Sequence, residues 1–224
     1  MKGIALYRRT AASVSLVLAA ALSMVWVILE PRFDGSILDR LVAVADAGDA
    51  AVVSVFAFAV SQLPFIIGML AVAHLAAHRS PRFAAIGGTL AVLGGFGHAV
   101  FAGMQISEVM MAADVANHKV YAALLEGEPP VALDIVMMAG TLGTVLGLLF
   151  LGIALFRSKV VSRWVPITLW AFILVEFVGG NFVEWASLAS GLLYLSALGA
   201  LAVTVWRSPL KVWMSAAAVT EASD

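Results

Sequence analysis

Five apolar runs follow one another along this chain, four near the length of a membrane-crossing helix and the last about twice that length. A bilayer core requires about 20 consecutive apolar residues of a helix. Residues 10–29 carry no charge, and neither do residues 50–73, where Gln62 is the only strongly polar side chain. The third run, 83–107, is interrupted by His98 and Gln105, and the fourth, 135–156, is again uncharged. Residues 164–206 form one apolar tract of roughly 43 residues, about twice a spanning length. Its break falls at Gly179-Gly180-Asn181, a turn-forming cluster that makes the tract a tight hairpin of two helices. The pattern therefore predicts an all-α, polytopic six-helix bundle in one domain. Its spans are about 10–29, 51–77, 83–108, 132–156, 164–180 and 182–206, with residues 210–224 as a small polar tail.

Composition agrees and excludes the soluble classes. Of 224 residues, 62% are apolar and 12% charged, about half the charge of a soluble domain. So little polar surface cannot cover an aqueous globule, which removes soluble enzymes, nucleic-acid binders and disordered chains. The lipid bilayer is the expected surroundings. Cysteine is absent, so disulfides, thiolate nucleophiles and Cys-ligated metals or clusters are absent too.

Net charge is −1 and carries no message, but its distribution does. With the N-terminus inside, ten of the thirteen Lys and Arg residues fall in inner segments: Lys2, Arg8, Arg9, Arg79, Arg82, Arg157, Lys159, Arg163, Arg207 and Lys211. Only Arg32, Arg40 and Lys119 fall outside. By the positive-inside rule, both termini are predicted to be cytoplasmic. The first run is longer than the 7–15 apolar residues of a secretory signal, so it is read as a span. The outer loop at 30–49 is acidic and has room for a short amphipathic helix. The second outer loop, 112–130, holds Asp114, His118, Glu126 and Glu128.

Lipid tails compete for Leu as well as another helix does, so spans associate through small residues that let backbones approach. The third span offers Gly87, Ala91, Gly95, Ala99 and Gly103 at four-residue intervals, and the fourth offers Ala139, Gly143 and Gly147. Such rows serve internal packing or a homo-oligomer seam. Pro64, in the middle of the second span, is expected to kink it.

Ionisable groups inside a bilayer are costly and mark function by default. At about 1.5 Å per residue, His98 and Gln62 come to similar heights, in the middle or outer half of the bundle. Gln105 lies seven residues beyond His98 on nearly the same face, followed by Glu108. Asp134 opens the fourth span, and Glu176, Asn181 and Glu184 surround the turn of the last hairpin. The fifth span covers only about 25 Å, less than the hydrocarbon thickness of about 30 Å, which would set the hairpin tip below the outer surface. The expected site is an outward-opening polar cavity lined by Gln62, His98, Gln105, Glu108, Asp134, Glu176, Asn181 and Glu184, with Glu176 and Glu184 as its reactive acids. Each has a plainer alternative: Glu108, Asp134 and Glu184 as solvated helix ends, His98 as a hydrogen-bonded core residue, Gln62 as interhelical glue.

No metal or cofactor is expected. His74 and His78 have the four-residue spacing of a metal-binding pair, but they lie beside Arg79 and Arg82 on a side almost without carboxylates. His98 lies about 15 Å above His74, so one haem cannot take both.

Tyr7-Arg8-Arg9-Thr10-Ala11 leads into the first span, and Gly147-Leu148-Leu149-Phe150-Leu151-Gly152-Ile153-Ala154-Leu155-Phe156-Arg157-Ser158 ends the fourth, followed by Val161-Ser162-Arg163-Trp164. With the acidic first outer loop, these features resemble a family of small bacterial six-helix membrane proteins of unknown function. The family often has Pro before the Arg-Trp pair, where this chain has Ser162. The resemblance covers most of the chain and implies a six-helix bundle, without an activity.

Three functions fit the sequence. The cavity could bind or transport a small amphiphilic or cationic ligand, its carboxylates supplying charge. Alternatively, a buried carboxylic acid could protonate a lipid-like, terpenoid-type substrate as general acid. In the third, the chain is an accessory subunit whose polar residues only pack helices.

Overall fold

The computed structural model describes residues 2–179, 182–183 and 185–214. Among these residues the chain is helical, without strands. The helices are α1 (Lys2–Leu29), α2 (Ile37–Ala47), α3 (Asp49–Ala77), α4 (Pro81–Ala113), α5 (His118–Leu125), α6 (Val131–Ser158), α7 (Trp164–Phe177) and α8 (Ala186–Arg207). Five of them, α1, α3, α4, α6 and α8, are long and apolar enough to cross a membrane. The sixth apolar helix, α7, has only 14 residues and a length of about 21 Å.

Local chemistry sets the helix ends. Ser36 and Asp39 cap α2 reciprocally, the Ser36 hydroxyl accepting from the Asp39 amide and the Asp39 carboxylate from the Ser36 amide. Gly48, at φ +53°, turns α2 directly into α3. Pro81 sits in the first turn of α4, where a missing N–H costs nothing. Helix α3 runs through Pro64 without a break in its helical assignment.

Six helices close a ring in the order α1, α3, α4, α6, α7, α8 and back to α1. Glycines bring its walls together. A Cβ on Gly87 would lie 2.7 Å from the Leu151 amide nitrogen, and one on Gly147 would lie 2.6 Å from that of Ala91. Gly94 and Gly97 of α4 meet Gly143 and Gly140 of α6 backbone to backbone. Much of the small-residue surface of α4 and α6 is therefore consumed inside the chain. Gly95 instead faces Phe65 and Ile66 of α3, while Ala99, Gly103 and Ala139 are exposed.

The two ends of the ring differ in charge. At the basic end Arg9 donates to the Ser208 carbonyl (3.1 Å), Arg79 to that of Ser158 (3.0 Å), and His74 Nε2 lies 2.7 Å from the Val212 oxygen. Residues Leu210–Trp213, expected to belong to a polar tail, form a short 3-10 turn on α1 with Trp213 buried. At the acidic end α2 is the short amphipathic helix that the first outer loop has room for. The 112–130 segment, expected as a second outer loop, is more ordered than its composition suggests: a 3-10 turn (Val115–Asn117) leads into α5, and His118 is buried with Nε2 2.8 Å from the Ala112 carbonyl. Leu41 of α2, Ala112 of α4 and Ala122 of α5 bury one another there, forming a small apolar cap over the ring.

Candidate functional site

A cavity of about 230 Å³ lies inside the ring, in its acidic half, and all six ring helices contribute to it. The floor is packed. Leu148 lines the cavity, and Met69, Val72, Leu151, Leu155, Leu198 and Leu201 fill the core beyond it. These side chains exclude water from the section of the ring between the cavity and the basic end.

The walls are mainly aromatic. Trp26, Phe58, Phe65, Phe101, Phe172, Phe177 and Tyr194 surround the space. Trp26 and Phe58 have ring centroids 4.6 Å apart, and Phe172 and Tyr194 4.8 Å. Among the described residues, one carboxyl group, Glu176, one imidazole, His98, the Gln62 amide, and the hydroxyls of Ser23, Ser61, Thr141, Thr144 and Ser190 come into this lining. Glu176 occupies the last turn of α7, and its half-buried side chain meets the Ser190 hydroxyl of α8 through Oε2. Ser190 Oγ also lies 2.8 Å from the Ser187 carbonyl. His98 packs its ring against Phe58 at 5.8 Å. Gln62 is committed locally, its Nε2 donating to the Phe58 carbonyl (3.0 Å) and to Ser61 Oγ (2.9 Å). Two buried polar atoms of the lining residues, Trp26 Nε1 and Thr144 Oγ1, have no hydrogen-bond partner among the described residues. Such atoms are rare, and ligands or water commonly satisfy them.

Of the eight residues the sequence singles out, three meet here: Gln62, His98 and Glu176. Gln105 and Glu108 line a separate crevice of about 40 Å³, nearer the acidic end, which shares Trp26 with the cavity. Asp134 is exposed and lines neither space, which suits a carboxylate in the first turn of α6, at the positive end of that helix. Asn181 and Glu184 lie outside the described residues. Among the described residues, the expected lining is thus divided between a cavity and a rim crevice.

The rim has charge chemistry that sequence reading missed. Arg40 of α2 forms an ion pair with Glu108 of α4 (Nε to Oε1, 2.5 Å) and lies over the Phe33 ring. Glu30, one residue beyond α1, lines the same crevice. The residue as a whole is exposed, but where it lines the crevice burial pushes its carboxyl up to about 7. Arg40 opposes that shift, while Glu176 and Glu108 add to it by repulsion. Farther out, hydrogen bonds from Asn117 and Tyr121 hold the Asp114 carboxyl below the usual carboxylate range. Among the described residues no three His, Asp or Glu side chains converge as a metal site would require. No family model, curated protein or solved structure matches the chain.

Proposed function

We propose that this chain is a six-span protein of a bacterial cytoplasmic membrane, with both termini inside, that binds a small amphiphilic cation in the aromatic cavity opening toward the acidic, outer end. The observation that carries this reading is Glu176, a carboxyl group from the last turn of a short helix, set among seven aromatic side chains. Aromatic faces attract cations electrostatically, and a carboxylate adds the charge that an apolar pocket lacks. A cavity of about 230 Å³ lies just below the usual range of ligand sites, which begins near 300 Å³, and suits a compact amine or quaternary ammonium group. The packed floor favours binding, or one state of a transport cycle, over an open pore.

The test is equilibrium binding of benzyltrimethylammonium to the full chain in zwitterionic detergent, beside its neutral carbon isostere. The cation should bind saturably, and Glu176→Gln should weaken it at least tenfold, which is about 1.4 kcal/mol. Equal binding of cation and isostere, or no loss in the variant, would refute the proposal.

One observation favours the general-acid alternative. The Ser190 hydroxyl has a single proton and faces two acceptors, Glu176 Oε2 and the Ser187 carbonyl. A Glu176 carboxyl carrying its own proton would satisfy both contacts, and such an acid could protonate an alkene or epoxide. Deuterium incorporated from heavy water into a polyprenoid incubated with the chain, and lost in Glu176→Gln, would favour that chemistry.

A further inference from the structure

At the opposite end of the ring lies a depression of about 830 Å³. It is formed by the last turns of α3 and α8 and by the residues that follow α6. These three elements alternate with the others around the ring, so the depression lies near the ring's axis. Five nitrogen-bearing side chains reach it: His74, His78, Arg79, Lys159 and Arg207. Among the described residues no carboxylate lines it.

Topogenic cations need only be near the membrane surface; they need not converge. Here three helix ends bring theirs to one concavity. Arg79 gives one Nη1 proton to the Ser158 carbonyl, which holds it in place with guanidinium donors to spare, while His74 spends its Nε2 proton on the Val212 carbonyl. Lys159, with its backbone in the left-handed region at φ +54°, ends α6 at this site and makes no ion pair among the described residues. The remaining wall is apolar, from Leu75, Val160, Val203 and Val212. A basic crown on an apolar wall matches an anionic headgroup with carbon attached, and basic pockets between helices on the cytoplasmic side are where phosphate headgroups bind.

We infer that this depression is a binding site for a phosphate-bearing anion, with His78, Lys159 and Arg207 as the side chains free to contact it. The anion is a phospholipid headgroup or a free phosphate compound; the recognition chemistry is the same. The site is independent of the aromatic cavity, and the core between them stays packed.

The full chain in zwitterionic detergent is titrated with inorganic phosphate, with short-chain phosphatidylglycerol and with phosphatidylcholine of equal chain length. Binding is read by calorimetry, and fold integrity by the melting temperature without ligand. Saturable binding of phosphatidylglycerol but not phosphatidylcholine, at least tenfold weaker in the double variant Lys159→Gln/Arg207→Gln, supports the site. If inorganic phosphate binds and competes, the free compound is its source; if it does neither, the headgroup is. His78→Gln, an exposed substitution, should weaken binding severalfold and serves if the double variant fails to fold. The control Arg157→Gln/Arg163→Gln removes two cations of the same end that lie over Phe83 and Phe156 instead. Failure of both anions to bind, or equal loss in the control, overturns the inference.

Discussion

Glu176 and Ser190 meet across the seam between α7 and α8, the Ser190 hydroxyl lying against Oε2 of the carboxyl group. The contact fixes the one acidic group that lines the aromatic cavity among the described residues, and it ties down the end of a helix of only 14 residues. Ser190→Ala keeps the charge and removes the orienting group. Cation binding should then weaken about fivefold, or about 1 kcal/mol for one lost hydrogen bond, less than in Glu176→Gln. The same titration measures both, and reversal of their order would mean that charge is not what the pocket uses.

The α4–α6 seam gives a sharper structural test. A methyl group on Gly97 would overlap the Gly140 backbone, which has no side chain to move aside, whereas nothing lies within 4 Å of a Cβ placed on Gly103. Gly97→Ala should therefore destabilise the fold by about 1–3 kcal/mol, as overpacking does. Gly103→Ala should be neutral or stabilising by up to about 1 kcal/mol, because Ala is the better helix residue. Thermal unfolding in detergent compares the two.

These glycines also show where sequence reading succeeds and where it stops. Run length and charge placement are local properties, so the helices, the shortness of α7 and the gathering of cations at one end were all legible. Facing is not local. A row at four-residue spacing turns about 40° per step, so from Gly87 to Gly103 it swings about 160° around the helix. The row therefore begins on α6 at Gly87 and Ala91, passes α3 at Gly95, and ends exposed, while Gly94 and Gly97 take over the seam. Gln105 failed in depth: seven residues beyond His98 keeps the face but moves it about 10 Å along the axis, into the next crevice. Arg40 was counted only as a charge on the outer side, because nothing in the sequence tells that α2 folds back to bring it to Glu108. Trp26, Tyr194 and the hydroxyl groups gave no signal against an apolar background.

Arg40 and Glu108 should behave as a coupled pair. The Glu108 side chain is only 13% exposed and that of Arg40 29%, so removing either leaves the other in a poorly solvated crevice. A double-mutant cycle on Arg40→Gln and Glu108→Gln, read by thermal unfolding, should give a coupling of about 0.5–3 kcal/mol. The double variant should be more stable than the sum of the single losses implies. Strict additivity would show that the pair contributes nothing to holding α2 over the ring.

The rim should also make stability depend on pH through Glu30. Its carboxyl is raised from 4.5 to about 7 in the folded chain, first by burial and then by repulsion from Glu176 and Glu108, against the pull of Arg40. The folded state thus holds a proton that the unfolded chain releases at lower pH. The sign follows: the contribution is fully present below about 4.5 and is lost as pH rises through about 7. The melting temperature of the wild-type chain should fall across that window. Glu30→Gln keeps a neutral side chain at every pH, so it should flatten the slope and melt higher than wild type at about pH 8. Since Arg40 is the one group that lowers this carboxyl, Arg40→Gln should move the fall to higher pH. An unchanged slope in Glu30→Gln would assign the titration to another residue.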